Sequence, residues 1–184
     1  MCSIGFWNVR RFNSSNKQTD VRRFLHLNNV GLFGILETRV RINSINKVHN
    51  GLGSNWSLVT NININDGGRI WLIWDAMNYN VEVLSCEAQV INTKVTFLST
   101  GVHWWVSMVC GFNRIADRIP LLESLIHMDG IVDGPWVVMG DFNNVLAMNE
   151  RIGSEVTSAE LRGFQNCTAT HGLMDIPAHG AFFT

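Results

Sequence analysis

The sequence predicts an α/β protein built in layers. Apolar runs of strand length alternate with segments of helical spacing, several strand-like runs follow one another with no helix between them, and 46% of the 184 residues are hydrophobic against 16% charged. The first two observations favour helices laid on partly antiparallel sheets over a bundle or a barrel. The third supplies apolar surface for a substantial core and argues against intrinsic disorder. The length suits one domain, so residues 1–184 are read as a single unit.

Taken in order, SIGFWNV (3–9) reads as the first strand. Between Asn16 and Asn28, Val21, Phe24, Leu25 and Leu27 recur at helical spacing, with Asn16 or Thr19 available as cap. GLFGILET (31–38) is a buried strand, and a second helical stretch runs from Arg41 to Asn50. WSLVTNINI (56–64) and RIWLIWDA (69–76), joined through Gly67 and Gly68, read as a hairpin. Residues 81–99 continue in β-rich fashion, and VHWWVSMVCGF (102–112) is a strand ending in a glycine-containing loop.

In residues 114–128, Ile115, Ile119, Leu122, Leu125 and Ile126 mark a helix with Pro120 near its start. PWVVMGDFN (135–143) is a strand running into a loop. A last helix is capped by Ser158, carries Leu161, Phe164 and Cys167, and is closed by Gly172. GAFFT (180–184) has the look of a strand beginning.

Composition narrows the function classes. Cys2, Cys86, Cys110 and Cys167 are scattered without CxxC pairing, against both a zinc knuckle and a secreted disulfide framework, so a reducing, intracellular setting is expected. No run approaches the roughly 18 uninterrupted apolar residues of a membrane span, and the N-terminus meets Arg10 and Arg11 after a short apolar stretch, unlike a signal peptide. Neither a membrane nor a protein partner is expected.

Net charge is −1, but residues 1–50 hold eight of the 14 lysines and arginines against only Asp20 and Glu37. That basic end is available to a phosphate backbone; a solvated helix face reads the same way. The seven tryptophans lie mostly in strand patterns and are expected in the core rather than as base-stacking platforms. Adjacent Trp104 and Trp105 must point to opposite faces of their strand.

The candidate chemistry sits at strand ends. Gly140, Asp141, Phe142 and Asn143 follow the apolar run Trp136–Met139 directly, so a carboxylate and a carboxamide two residues apart surface together, able to converge on a water or a phosphate oxygen. An Asx turn closing the strand would place the same residues. SIGFWNV likewise delivers Asn8, and GLFGILET delivers Glu37 after an uncharged run. Singly each fits a turn or a surface residue; three strand ends offering Asn, Glu and Asp/Asn point to a site.

WNVR with Asn8, LET with Glu37, CGFNRIADR with Asn113, GDFN with Asp141 and Asn143, and GLMDI with Asp175 stand in the order found in endonuclease/exonuclease/phosphatase domains. With GRIWLIW and PWVVMGDFN, the chain resembles the apurinic-type endonuclease domains of plant non-LTR (LINE-type) retrotransposons from Ser3 to Thr184. The resemblance implies a DNase I-like four-layered α/β sandwich, two facing mixed β-sheets flanked by helices, with the site at one rim. It implies DNA nicking by phosphodiester hydrolysis with Mg²⁺ or Mn²⁺, acting in the nucleus.

On those matches Glu37 is the metal ligand, assisted by Asn8. Asp141 and Asn143 orient and activate the attacking water, and Asn113 supports the phosphate, with Arg10 and Arg11 beside it for the DNA backbone. A hard cation takes oxygen ligands, usually one or two carboxylates plus water and phosphate, which suits Glu37. Asn donates to a phosphate oxygen without adding repelling charge.

The chain departs from the family in three places. Cys110 stands where a tyrosine is usual, Arg11 where a glycine is usual, and the family's late Asp-bearing strand and terminal Ser-Asp-His motif have no match before Thr184. His171 and His179 are not in a context to replace that motif. The expectation is therefore a domain lacking its last strands, marginally stable, and weakly active or inactive. A catalytically silent retrotransposon remnant that binds nucleic acid is the alternative to a working endonuclease, with a phosphatase of the same fold ranked below both because fold alone does not choose the substrate.

Overall fold

A computed structural model describes residues 3–64, 68–150 and 156–176. Gly67, His179 and the strand expected over 180–184 lie outside them. The strands are β1 (Ser3–Asn8), β2 (Val30–Leu36), β3 (Trp56–Thr60), β4 (Ile70–Asp75), β5 (Tyr79–Cys86), β6 (Val90–Phe97), β7 (His103–Cys110) and β8 (Trp136–Asp141). The helices are α1 (Ser15–Leu27), α2 (Ile45–Asn50), α3 (Ile119–His127) and α4 (Ser158–Thr170). The chain divides into two compact units, Met1–Cys110 with Val132–Asp141, and Gly111–Ile131 with Phe142–Thr184.

The first unit holds two mixed four-stranded sheets, ordered β1-β2-β4-β3 and β5-β6-β7-β8. In the first, β1 and β2 run parallel while β4 pairs antiparallel with both β2 and β3. In the second, β5, β6 and β7 are antiparallel and β8 joins β7 in parallel. The predicted hairpin is β3–β4.

Strand alternation explains why these sheets stack. Leu32, Leu36, Ile70 and Leu72 on one sheet meet Ile91, Val95, Val106, Met108 and Cys110 on the other in a shared core. The opposite face of the first sheet, Phe33, Ile35, Trp71 and Ile73, is buried with Val21 and Leu25 of α1 and Val48 of α2. At Gly34 the sheets come so close that an added Cβ would lie 2.2 Å from Met108 Sδ.

Trp104 and Trp105 divide as the pleat requires: Trp104 packs edge-on against Tyr79 between the sheets, while Trp105 lies under Lys94 Nζ on the outer face. Trp7 breaks the core expectation. It is 41% exposed because β1 is an edge strand, and it leans on Phe24 of α1 at 5.7 Å.

Two helix starts differ from expectation. Neither Asn16 nor Thr19 caps α1; Ser14 occupies that position in extended backbone with no side-chain bond, because the chain turns helical as soon as it leaves the buried Phe12. Ser158 is the first residue of α4 rather than its cap, since the Leu161 N–H already bonds to Thr157 O. Pro120 stands in the first turn of α3, where its missing N–H costs nothing. Gly172 closes α4 at φ +59°.

In the second unit Leu121 and Leu125 of α3 and Leu161, Phe164 and Cys167 of α4 are buried, and the rings of Phe142 and Phe164 lie 4.9 Å apart. His171 Nδ1 sits 3.2 Å from Asp129 Oδ1. Among the described residues no helix is long and apolar enough to cross a membrane.

One polar staple ties the stacked sheets together. Asn61, fully buried after β3, accepts from the N–H groups of Arg69 and Ile70 and donates to the carbonyls of Glu87 and Ala88 in the β5–β6 turn. Each buried group left unbonded costs about 1–3 kcal/mol. Asn61→Ala should therefore lower unfolding stability by about 3 kcal/mol or more in urea titration; a loss below about 1 kcal/mol would show that the staple is dispensable.

Candidate active site

Parallel pairing brings strand ends to one rim. Asn8, the last residue of β1, is in register with Leu36, the last of β2, so Glu37 emerges beside it. On the facing sheet Cys110, the last residue of β7, is in register with Asp141, the last of β8. The two ends meet: Asn8 Nδ2 donates to Asp141 Oδ2 at 2.9 Å, across 133 residues of sequence.

The loop after β2 is held in a left-handed turn. Glu37 has φ +50° and Arg39 φ +48°, a region that side chains adopt rarely and that usually persists only where surrounding bonds enforce it. Here they do. Buried Thr38 donates from Oγ1 to Gly68 O at 2.8 Å, the Arg39 N–H bonds to the same carbonyl, and the Arg11 and Phe12 N–H groups bond to Glu37 O and Thr38 O.

The loop after β1 is fixed just as firmly. Arg10 and Arg11 are also left-handed, at φ +46° and +63°, and Lys17 Nζ donates to the carbonyls of Val9 and Arg10. A glycine is thus not needed at position 11: the anchors of this loop, with Phe12 buried edge-on against Trp71, hold the turn.

Electrostatically the rim mixes signs. The Glu37 side chain is 15% exposed, with Arg10 Nε 3.6 Å from its Oε2. Arg11 and Arg39 stand exposed in the same two loops. Cys110 lies beneath, close enough to feel Glu37, Asp141 and Arg69. Burial above all pushes its thiol up, the Glu37 backbone and Arg69 pull it down and the carboxylates of Asp141 and Glu37 push it up, for a net rise from 9.0 to about 11. The position therefore carries a neutral thiol at ordinary pH.

Asn8 Oδ1 is buried and has no hydrogen-bond partner among the described residues. An orphaned acceptor costs about 1–3 kcal/mol. It is oxygen, and so are the donors of Glu37 and Asp141 in its neighbourhood, a set that fits a hard divalent cation. No group of three or more His, Cys, Asp or Glu side chains gathers among the described residues, so any cation here would rest on few protein ligands with water and substrate completing the shell.

Of the residues expected at the site, the first unit brings together Asn8, Glu37 and Asp141, with Arg10 and Arg11 on the adjoining loop. Asn143 and Asn113 belong to the second unit. There Asn143, at φ +49°, donates from Nδ2 to Gly111 O at 2.7 Å, and Asn113 and Asp175 are exposed. The sequence reading missed Thr38, whose fixing bond is to a residue 30 positions away. It also passed over Gly140, although the glycine of GDFN was in view. At φ +138° a Cβ there would lie 2.0 Å from Val109 O, so only glycine lets β8 deliver Asp141.

No protein-family model and no curated protein sequence matches the chain. Solved structures do. The endonuclease domain of TRAS1, a telomere-specific non-LTR retrotransposon, superposes with a TM-score of 0.67 at 8% identity, over 91% of this chain and 70% of that one. An AP endonuclease from Leishmania major gives 0.62 at 11%, over 91% and 65%. An endonuclease/exonuclease/phosphatase family protein from Bacteroides thetaiotaomicron gives 0.59 at 10%, over 77% and 63%. The chain thus spans about two thirds of the length of these neighbours. At such identities the likeness shows the fold, the DNase I-like α/β class expected from the sequence.

Two outcomes follow from this geometry. Gly140→Ala should destabilise the protein by about 2–4 kcal/mol through forced backbone strain, read by urea unfolding; a neutral substitution would mean that β8 reaches the rim without the glycine. Because the folded Cys110 thiol ionises near 11 and its unfolded reference is 9.0, its contribution to stability is intact below pH 9 and is lost as pH rises toward 11. Cys110→Ala should flatten the fall in unfolding free energy over that window, and an unchanged slope would place the thiol in water.

Proposed function

We propose that the chain is a metal-dependent phosphodiesterase that nicks DNA, an endonuclease domain of LINE-type retrotransposon origin acting in the nucleus. The observation that carries this reading is the Asn8–Asp141 hydrogen bond beside Glu37, because it unites three oxygen-bearing strand ends from two sheets at one rim. The TRAS1 endonuclease domain and the Leishmania major AP endonuclease share this fold.

In this reading Glu37 and the orphaned Asn8 Oδ1 hold the cation. Mg²⁺ or Mn²⁺ supplies Lewis-acid polarisation of a phosphoryl oxygen and stabilises the leaving oxygen. Asn8 Nδ2 donates to Asp141 and so orients the carboxylate that takes the proton of the attacking water. The resemblance assigns Asn143 to orienting that water and Asn113 to the phosphate. Arg10, Arg11 and Arg39, exposed in the rim loops, favour a polyanionic substrate over a small phosphorylated one.

A second reading, a silent remnant that binds DNA without cutting it, is favoured by one observation. Cys110 places a buried neutral thiol, a weak donor, where the family's tyrosine would offer a hydroxyl.

A supercoiled-plasmid assay tests both. Mg²⁺-dependent conversion to open circles, abolished by chelation and by Glu37→Gln and slowed about 10²–10⁴-fold by Asp141→Asn, is the expected result. Nicking that survives chelation or Glu37→Gln would sink the metal-dependent reading. Salt-sensitive DNA retention with no nicking would establish the remnant.

A further inference from the structure

The Arg10–Glu37 pair stands out at this rim because both partners are preset. Glu37 and Arg10 each sit in left-handed backbone, held where the Arg11 N–H bonds to Glu37 O and Lys17 Nζ of α1 donates to Arg10 O, so the two loops present these side chains to each other. Their contact is nevertheless loose. Nε and Oε2 are 3.6 Å apart, and the Arg10 side chain is 74% exposed while that of Glu37 is 15% exposed. Arg11 is next in the chain and also exposed, yet its N–H reaches only the Glu37 carbonyl, and among the described residues its side chain makes no ion pair with the carboxylate.

Resting on the reading of Glu37 as the cation's carboxylate, we propose that Arg10 is an exchangeable counter-charge: it neutralises Glu37 when no cation is present and is released toward the substrate phosphate when one binds. The physical logic is competition for one carboxylate. A half-buried glutamate at a rim shared with Asp141 is stabilised by a nearby positive charge, and a guanidinium held at 3.6 Å supplies it weakly enough to be displaced. Once displaced, the same fork of donors suits a phosphate oxygen pair. Arg10 is thereby a positioning residue that couples cation loading to phosphate capture.

The test is titration of the purified chain with Mn²⁺, following free Mn²⁺ by electron paramagnetic resonance. Arg10→Ala should bind Mn²⁺ about three- to fivefold more tightly than the parent chain, the range set by an exposed ion pair, while Arg10→Lys stays near the parent. Arg11→Ala removes the same charge one residue away and should change the affinity by less than about twofold. Equal gains in Arg10→Ala and Arg11→Ala would overturn the proposal, because field alone would then explain them. So would an Arg10→Ala protein, folded by circular dichroism, that binds Mn²⁺ no better than the parent. Glu37→Gln separates the two levels: if it binds Mn²⁺ as the parent does, the Glu37 cation site falls and the Arg10 exchange with it, whereas loss of binding in Glu37→Gln together with an unmoved Arg10→Ala removes only the exchange.

Discussion

Parallel pairing at two sheet edges is the constraint on which the rest of this structure depends. Within a parallel pair both chains finish at the same end, so β1 with β2 and β7 with β8 each deliver two C-terminal residues side by side. Face-to-face packing of the sheets then sets those two deliveries against each other. The contact of Asn8 with Asp141 is the visible result, and it exists only because Leu36, Ile70, Met108 and their neighbours bury the same core.

The rim is costly by the usual rules. It holds four non-glycine residues in left-handed backbone at positions 10, 11, 37 and 39, a loosely paired glutamate, an orphaned amide oxygen and a thiol pushed well above its ordinary range. Such features concentrate where a structure gives up local stability for a preset arrangement of polar groups. The offsetting order is close by: Thr38 bonded to Gly68, Lys17 bridging two carbonyls, Asn61 stapling one sheet to the turn of the other. That scaffolding holds the loops that carry Arg10, Glu37 and Arg39 at the rim which strand pairing sets.

The basic first 50 residues gain meaning from the same geometry. Of their eight lysines and arginines, Arg10, Arg11 and Arg39 emerge in the loops that follow β1 and β2, beside Glu37. Lys17 is turned inward to hold the β1 loop, and Arg22 on α1 bonds to Thr19. Charge that the sequence left open between a phosphate contact and a solvated helix face is thus divided among a structural clamp, a helix surface and a collar around the rim.

Local pattern alone determined the α/β class, the succession of strands and helices, and three of the strand-end residues that gather at the rim, because pleat alternation and helical spacing are written in neighbouring residues. It also determined that Trp104 and Trp105 would part company across their strand. Caps were misplaced, by one position at α4 and by two or five at α1, since they depend on where the chain leaves a buried contact rather than on which residue is a good cap. Trp7 was misassigned because edge position is a property of the sheet, not of the strand. Only the tertiary structure decided that Asn8 would touch Asp141, that Glu37 would face Arg10, that Gly140 could be nothing else, and that Asn61 would bind four backbone groups. Each of these joins residues far apart in the chain through sheet register and sheet packing, and no short-range pattern carries that information.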